Sequence, residues 1–409
     1  MEGHAGFMAN VLDGDVKSAK LEIQEGIRLI EGVLIGRHYK DMPIVAQRIC
    51  GICPVVHNLT AIKSLESAFG LKVSEETKKL RTLMELSQII HSHALHLFFL
   101  SLADFLDIDN DIKLVKKYPE QTQKAIKIRE YGMEIIKVVG GRVVHPLTNE
   151  VGGFKKAPDR ESLKNLVKES GHILNLALEL AEFFKTIKVP EFSRETEYVS
   201  LAKKGGYAIY DGDIFSNRGL HIPVEKFESN FHELSKQTEV IKRMEHNGKS
   251  YMVGAIARIN INKIKLRPHA SWFLDSLKWK FPDYNPFHNV MSQMVEIIHC
   301  IEESEKILKE LLHSDLEQVI TKPYEIKEGK GVAAVEAPRG TLYYHVDVDS
   351  KGYIRNVNII TPTAQFLSNL EDDIMEYIPS IIKLSDTART RKLRAFIRAY
   401  DPCISCAVH

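Results

Sequence analysis

Apolar and polar positions change their period several times along the chain, and each period predicts a different element. Phe7, Ala9 and Val11 alternate with other residues, Asp13-Gly14 follows, and alternation resumes from Val16 to Ile23. That pattern predicts two strands joined by a tight turn. Ile27, Ile30, Val33 and Leu34 recur at helical spacing and predict a short amphipathic helix over 24–35. Helical period continues over 59–69 and 75–106. The second stretch is apolar nearly all round in its later half, which predicts a central, buried helix. Ser74 stands where a cap belongs, ahead of Glu75 and Glu76, whose charges suit a first helical turn. Helices are also expected over 119–138 and 159–188, separated by a connector carrying Gly140-Gly141, Pro146 and Gly152-Gly153.

The pattern shifts near Pro190, and short strands and turns are expected from there to Leu266. A helix is expected over 286–312, with Pro286 at its first position and Asn285 as its cap. Alternation around Lys351-Gly352 predicts a hairpin, and 366–382 and 386–398 read as the last helices. Pro402 ends the second, because the residue before a proline avoids the α region. The expected organisation is a single unit over 1–409. Its parts are an N-terminal hairpin and helix (1–35), a helical core (55–188), a β-rich region (190–266), a helix (286–312), a β-hairpin (332–362) and C-terminal helices with a cysteine motif (364–409). The expected fold class is mainly α with smaller β regions (α+β) around a central long-helix bundle.

Composition narrows the function classes. The chain has 409 residues and 44% hydrophobic residues, enough for a large core. Its 55 basic and 54 acidic residues nearly cancel, so no nucleic-acid footprint is expected. The basic run Arg389, Arg391, Lys392, Arg394 and Arg398 reads as a solvated or partner-facing helix face. No apolar run approaches the roughly 20 residues that cross a bilayer. Nor is there a basic segment followed by an apolar one at the start, so no transmembrane segment and a cytoplasmic location are expected.

Four of the five cysteines form two pairs, Cys50/Cys53 and Cys403/Cys406, and Cys300 stands alone. Two intervening residues let both sulfurs of a pair turn toward one metal, and thiolates are soft ligands that favour nickel, iron, zinc or copper. A structural zinc site is the bland alternative, but its pairs are typically about 15–20 residues apart, whereas these lie at opposite ends of the chain. A redox pair of thioredoxin type lacks its strand-and-helix context here.

The residues around the pairs carry a more specific signal. Arg48-Ile-Cys50-Gly-Ile-Cys53-Pro-Val-Val-His57 and Asp401-Pro-Cys403-Ile-Ser-Cys406-Ala-Val-His409 together resemble the large subunits of nickel-iron hydrogenases. The resemblance extends to Glu2-Gly3-His4, Glu31, the segment Gly140 to Gly153, Glu336-Ala-Pro338-Arg339-Gly340 and Thr361-Pro362-Thr363. It implies reversible heterolytic cleavage of H2 at a nickel-iron centre whose iron carries CO and cyanide. Cys50 and Cys403 would be terminal nickel ligands, and Cys53 and Cys406 would bridge nickel to iron. Cys403 would take the proton and Glu2 would accept it next. Arg339 would sit over the open face, held by Asp401, with Pro338, Thr363 and His57 also lining the cofactor. Glu31, the Ile359 carbonyl and His409 would hold magnesium or another divalent cation.

The resemblance also implies partners: a small subunit with iron-sulfur clusters, electron-transfer subunits for NAD(P) with flavin, maturation proteins and a C-terminal endopeptidase. Linkage to F420 or to heterodisulfide reductase is an alternative. A zinc-stabilised scaffold and a structural relative in respiratory complex I are alternatives of another class. Ser92 departs from the family, where many uptake enzymes carry an aspartate. His91, His93 and His96 read as core histidines, and Cys300 as a buried apolar side chain.

Overall fold

The computed structural model describes residues 2–12, 15–234 and 241–409. The expected Asp13-Gly14 turn lies outside them. Strands β1 (Ala5–Leu12) and β2 (Asp15–Ile23) pair antiparallel. Four long helices form the centre: α2 (Glu75–Leu95), α3 (Pro119–Gly140), α4 (Arg160–Lys185) and α5 (His288–Leu312). Helix α2 packs on α3 and α5, and α4 packs on both of those. Before them comes α1 (Pro54–Phe69), which lies across an antiparallel sheet of β3 (Gly329–Ala337), β4 (Gly340–Val348) and β5 (Ile354–Ile360). Helices α6 (Pro362–Ile381) and α7 (Asp386–Ala399) lead to the C-terminal motif. The α+β class with a long-helix bundle is thus the observed architecture.

Local chemistry explains the ends of these helices. The Ser74 hydroxyl accepts from the Thr77 amide and caps α2, and Asp159 caps α4 from Ser162. Helices α1 and α3 open on prolines and stop at Gly70 and Gly141, whose positive φ closes the last turn. From Glu75 to Phe105 the chain is long and apolar enough to cross a membrane, but 83% of its most apolar stretch is buried in the protein. It serves as a core helix. After Leu95 it widens into a π-helical segment, His96–Ser101.

The structure departs from sequence expectation in five places. Between residues 24 and 35 only Ile30–Leu34 is helical. Arg28 N bonds the Val408 carbonyl and Leu29 turns left-handed, so the backbone pairs across the fold before a helix can start. Helix α5 begins at His288, because the Asn285 side chain caps Phe287 N as a turn and donates to the Pro190 carbonyl. The expected β-rich region turns helical at Ala255–Asn262, after Gly254 breaks the strand with a φ of 102°. A further helix follows at Pro268–Ser276. The expected hairpin over 332–362 is part of a three-stranded sheet that starts at Gly329. The basic face of α7 is also only partly solvated, since Arg394 and Arg398 both reach the buried Asp104.

One buried ion pair ties the bundle to the glycine-rich connector. The guanidinium of Arg81, fully buried on α2, grips both oxygens of Glu66 at 2.7 Å and donates to Asn149 and to the Glu150 carbonyl. Removing one partner strands a charge in a dry interior. Arg81→Met should lower the unfolding free energy by ~3–5 kcal/mol, measured by denaturant unfolding. Wild-type stability in that variant would show the pair to be dispensable.

Candidate metal centre

The four sulfurs meet because both ends of the chain are stitched together. Cys50 follows a short turn, Gln47–Ile49, and Cys53 is the residue before α1. Cys403 precedes the one-turn helix Ile404–Ala407, on which Cys406 lies. Glu2 and Cys403 form a parallel bridge: Glu2 N bonds the Pro402 carbonyl at 3.1 Å, and Ile404 N bonds the Glu2 carbonyl at 3.0 Å. The Thr363 hydroxyl at the start of α6 accepts from Cys403 N at 3.1 Å.

The resulting sulfur cluster is tight and dry. Cys50 and Cys403 lie 3.5 Å apart, Cys53 and Cys406 3.2 Å, and Cys403 and Cys406 3.1 Å. All four ligand atoms fall within 4.8 Å of one another, and all four residues are buried. Hydrogen bonds from Cys403, Cys406 and Cys53 hold the Cys50 thiol well below its ordinary range. Hydrogen bonds with Cys403, Cys50 and Cys53, together with burial, push the Cys406 thiol well up. Four thiolates this close would repel strongly, so a soft cation among them is what lets all four ionise.

His57 backs the cluster. Burial drives its pKa down to about 3, so the ring is neutral. The Tyr344 hydroxyl lies 2.8 Å from Nδ1 and the Cys406 sulfur 3.6 Å from Nε2; once that sulfur is ionised on a metal, a proton on Nε2 serves it and the hydroxyl donates to Nδ1.

A small, mostly apolar cavity opens beside Cys53, Cys403 and Cys406, walled by Pro338, Arg339 and Thr363. A purely structural zinc site is closed by its four ligands and needs no such space. Arg339 occupies the two-residue turn between β3 and β4 and is buried. Its Nε donates to the Asp401 carbonyl at 2.9 Å and to Oδ1 at 3.1 Å. Nη2 lies 3.0 Å from that same Oδ1 without hydrogen-bond geometry, and neither Nη1 nor Nη2 has an acceptor among the described residues. Burial pushes the Asp401 carboxyl up, but the nearby positive groups together, Arg339 first among them, outweigh it and hold the pKa low. Soft thiolates, an adjoining cavity and two unsatisfied buried donors on its wall fit a metal group that carries acceptor ligands.

Glu2 reaches the cluster from the side. Its Oε2 lies 3.2 Å from the Cys403 sulfur and accepts from Ser405 N at 3.0 Å, while Oε1 accepts from the Ser405 hydroxyl. Arg28 in turn donates to that hydroxyl at 3.0 Å. Sequence reasoning marked neither Ser405 nor Arg28 as a partner of Glu2, although Ser405 lies inside the second cysteine pair.

Glu31, Ile359 and His409 also converge. His409 Nε2 is 2.9 Å from the Ile359 carbonyl and 4.0 Å from Glu31 Oε1. In an octahedron with bonds of about 2.0–2.1 Å, adjacent ligands lie about 3 Å apart and opposite ones about 4 Å. The His409–Ile359 separation suits adjacent corners and the His409–Glu31 separation suits opposite ones. Sequence reasoning missed Lys242, whose ammonium lies 2.7 Å from Glu31 Oε1, 2.9 Å from Asn358 Oδ1 and 3.4 Å from the Ile359 carbonyl. His91, His93 and His96 are buried and engaged with Gln88, Glu296 and Gln293, so none joins the sulfurs. Ser92 is buried with an unpartnered hydroxyl, and Cys300 lies buried within α5.

Comparison with known proteins adds an independent line. The family model described as nickel-dependent hydrogenase matches residues 28–127 and 151–409. The chain is 33% identical to the alpha chain of sulfhydrogenase 1 from Pyrococcus furiosus, covering 100% of this chain and 96% of that one. It is 30% identical to a chain of the F420-non-reducing hydrogenase of Methanothermobacter marburgensis, over 100% and 93%. The solved structure of an NAD+-reducing [NiFe]-hydrogenase in its H2-reduced state superposes with a TM-score of 0.91 at 26% identity, over 100% and 97%.

Burial holds both His57 and His91 down to about 3, while the unfolded chain protonates them near 6.5. Their contribution to stability is complete above pH 6.5 and falls as pH drops toward 3, by ~1.4 kcal/mol per pH unit for each. His57→Gln should reduce the pH slope of the unfolding free energy by one proton across that window. An unchanged slope would contradict a neutral His57.

Proposed function

Because this chain belongs to the nickel-dependent hydrogenases as their large subunit, an oxidoreductase of H2, we propose how its residues divide the work. Cys50 and Cys403 would hold nickel, and Cys53 and Cys406 would hold nickel together with an iron that carries CO and cyanide. When bound, this centre supplies the polarisation that H2, apolar and a very weak acid, needs before a base can take its proton. Cys403 receives that proton at Sγ and passes it to Glu2 Oε2, which is 3.2 Å away. Ser405 keeps the carboxylate aimed at the sulfur through its amide and hydroxyl. Arg339 would offer Nη1 and Nη2 to acceptor ligands of that group, with Asp401 holding the guanidinium. His57 donates to the Cys406 sulfur, Thr363 fixes the Cys403 backbone, and Pro338 excludes water.

The observation that carries this assignment is the convergence of all four sulfurs with the unsatisfied Arg339 donors at one cavity. Only Cys300 lies outside the cluster, too few thiols for an iron-sulfur cluster in this chain. Electrons therefore leave through a small subunit, in keeping with relatives named as subunits of larger enzymes. We assign iron-sulfur clusters to that subunit, NAD(P) as the acceptor through flavin-bearing partners, and a cytoplasmic location. The NAD+-reducing structural relative supports this acceptor. Linkage to F420 or to heterodisulfide reductase is the second choice. Maturation proteins would insert the centre, with an endopeptidase acting at the C-terminal side.

For the second site the spacing of Glu31, the Ile359 carbonyl and His409 supports a magnesium ion. The Lys242 contacts favour a second possibility, in which the ammonium itself neutralises Glu31. Metal analysis separates the two: magnesium at one per nickel in chelator-washed complex supports the first, and none supports the second.

The natively matured complex should contain nickel and iron, show infrared stretches of metal-bound CO and cyanide, and reduce NAD(P) with H2. Cys403→Ser should lose more than nine-tenths of both nickel and activity. Zinc as the sole metal at the four sulfurs would overturn the assignment.

A further inference from the structure

We propose that Gln293, on α5, is the positioning residue for Arg339, acting through the Asp401 carboxylate. The proposal rests on the four-sulfur site holding the nickel-iron group. Among the described residues, Asp401 is the one hydrogen-bond partner of the Arg339 guanidinium, so whatever sets Asp401 also sets the direction of the free Nη1 and Nη2.

Asp401 has few holds besides Arg339: its amide donates to the Arg398 carbonyl at 2.9 Å, and His96 Nε2 lies 3.5 Å from its Oδ1. Its φ is 54°, a left-handed conformation that L residues avoid, and it precedes a proline, which adds to the restriction. Such a backbone persists only where its surroundings enforce it. Gln293 is buried, and its Nε2 donates to Asp401 Oδ2 at 3.0 Å, on the oxygen that Arg339 leaves free. The orientation of this amide is decided at its Asp401 end. A carboxylate only accepts, so the amide nitrogen must face Asp401. The amide oxygen then faces His96 Nδ1, 2.6 Å away. His96 lies at the start of the π-helical segment, and its Nε2 is 2.9 Å from the Arg398 carbonyl. Gln293 is thus pinned from the π segment and pins Asp401, whose other oxygen fixes Arg339. The buried hydroxyl of Ser92 has no partner and contributes no hold on this chain of contacts.

The test uses the natively matured complex in wild type, Gln293→Met, Arg339→Lys and the double variant. Gln293→Met keeps the volume and removes the donor. It should retain nickel and iron but shift the CO and cyanide stretches from their wild-type positions. Turnover of H2 oxidation should fall ~10–100-fold with the KM for H2 little changed. Combined with Arg339→Lys it should cost nothing further, because both changes act on one guanidinium. Wild-type bands and turnover in Gln293→Met, or losses that multiply in the double variant, would overturn the proposal. If Gln293→Met fails to retain nickel, Gln293→Glu decides. It keeps the shape and the His96 contact but turns a carboxylate toward Asp401, so wild-type turnover there overturns the proposal as well. A wild-type complex with nickel but no CO or cyanide bands would overturn the assigned iron ligands instead, and the double-variant comparison would still decide on Gln293.

Discussion

Four thiols from opposite ends of the chain are packed within 4.8 Å of one another in a dry interior, and that constraint organises the molecule. Without a cation, the sulfurs compete for charge and Cys50 alone is strongly favoured to ionise. With a soft metal among them, their mutual repulsion becomes shared coordination. The energy that brings them together comes from elsewhere. The Glu2–Cys403 bridge, the Thr363 hydroxyl and the start of α1 place each sulfur before any metal is considered. Preorganisation of this kind leaves little for the ligands to lose on binding.

The rest of the fold supplies rigidity where the site needs it. The bundle of α2 to α5 contributes Gln88, His93, His96 and Gln293 from buried helix faces, so the layer behind the sulfurs stands on rigid elements. Arg339 is the exception, since it sits on a two-residue turn. That turn is itself fixed by the tight packing of Gly340 against Val253, where a Cβ would come within 2.4 Å of a methyl carbon. A charged side chain on a hairpin turn is ordinarily a solvated one. Here the sheet lies against α1 and the C-terminal segment closes over it, so the charge is buried and Asp401 answers it.

Much of the site was legible because its chemistry is written in contiguous motifs. The two cysteine pairs, with Asp401 and His57 beside them, announce a soft-metal site at fixed spacing, and the long helical periods announce the bundle. The partners that hold these residues were not legible. Nothing in the sequence marks Ser405, Lys242 or Gln293 as the partners of Glu2, Glu31 and Asp401. Each acquires its meaning from a contact made more than 100 residues away in sequence. The helix expected over 24–35 failed for the same reason, since Arg28 bonds the C-terminal segment in place of its own helical neighbours.

The sequence by itself determined that a soft metal suits the two cysteine pairs, because ligand softness and the two-residue spacing of each pair are properties of the residues. It also determined where most helices begin and end, since caps, prolines and glycines act within a turn or two. Only the tertiary structure decided which sulfurs face one another, which carboxylate meets Cys403 and which side chains remain unsatisfied over the cavity. Those outcomes depend on segments joined across the whole chain, and local periodicity carries no record of which distant surface a buried polar group will meet.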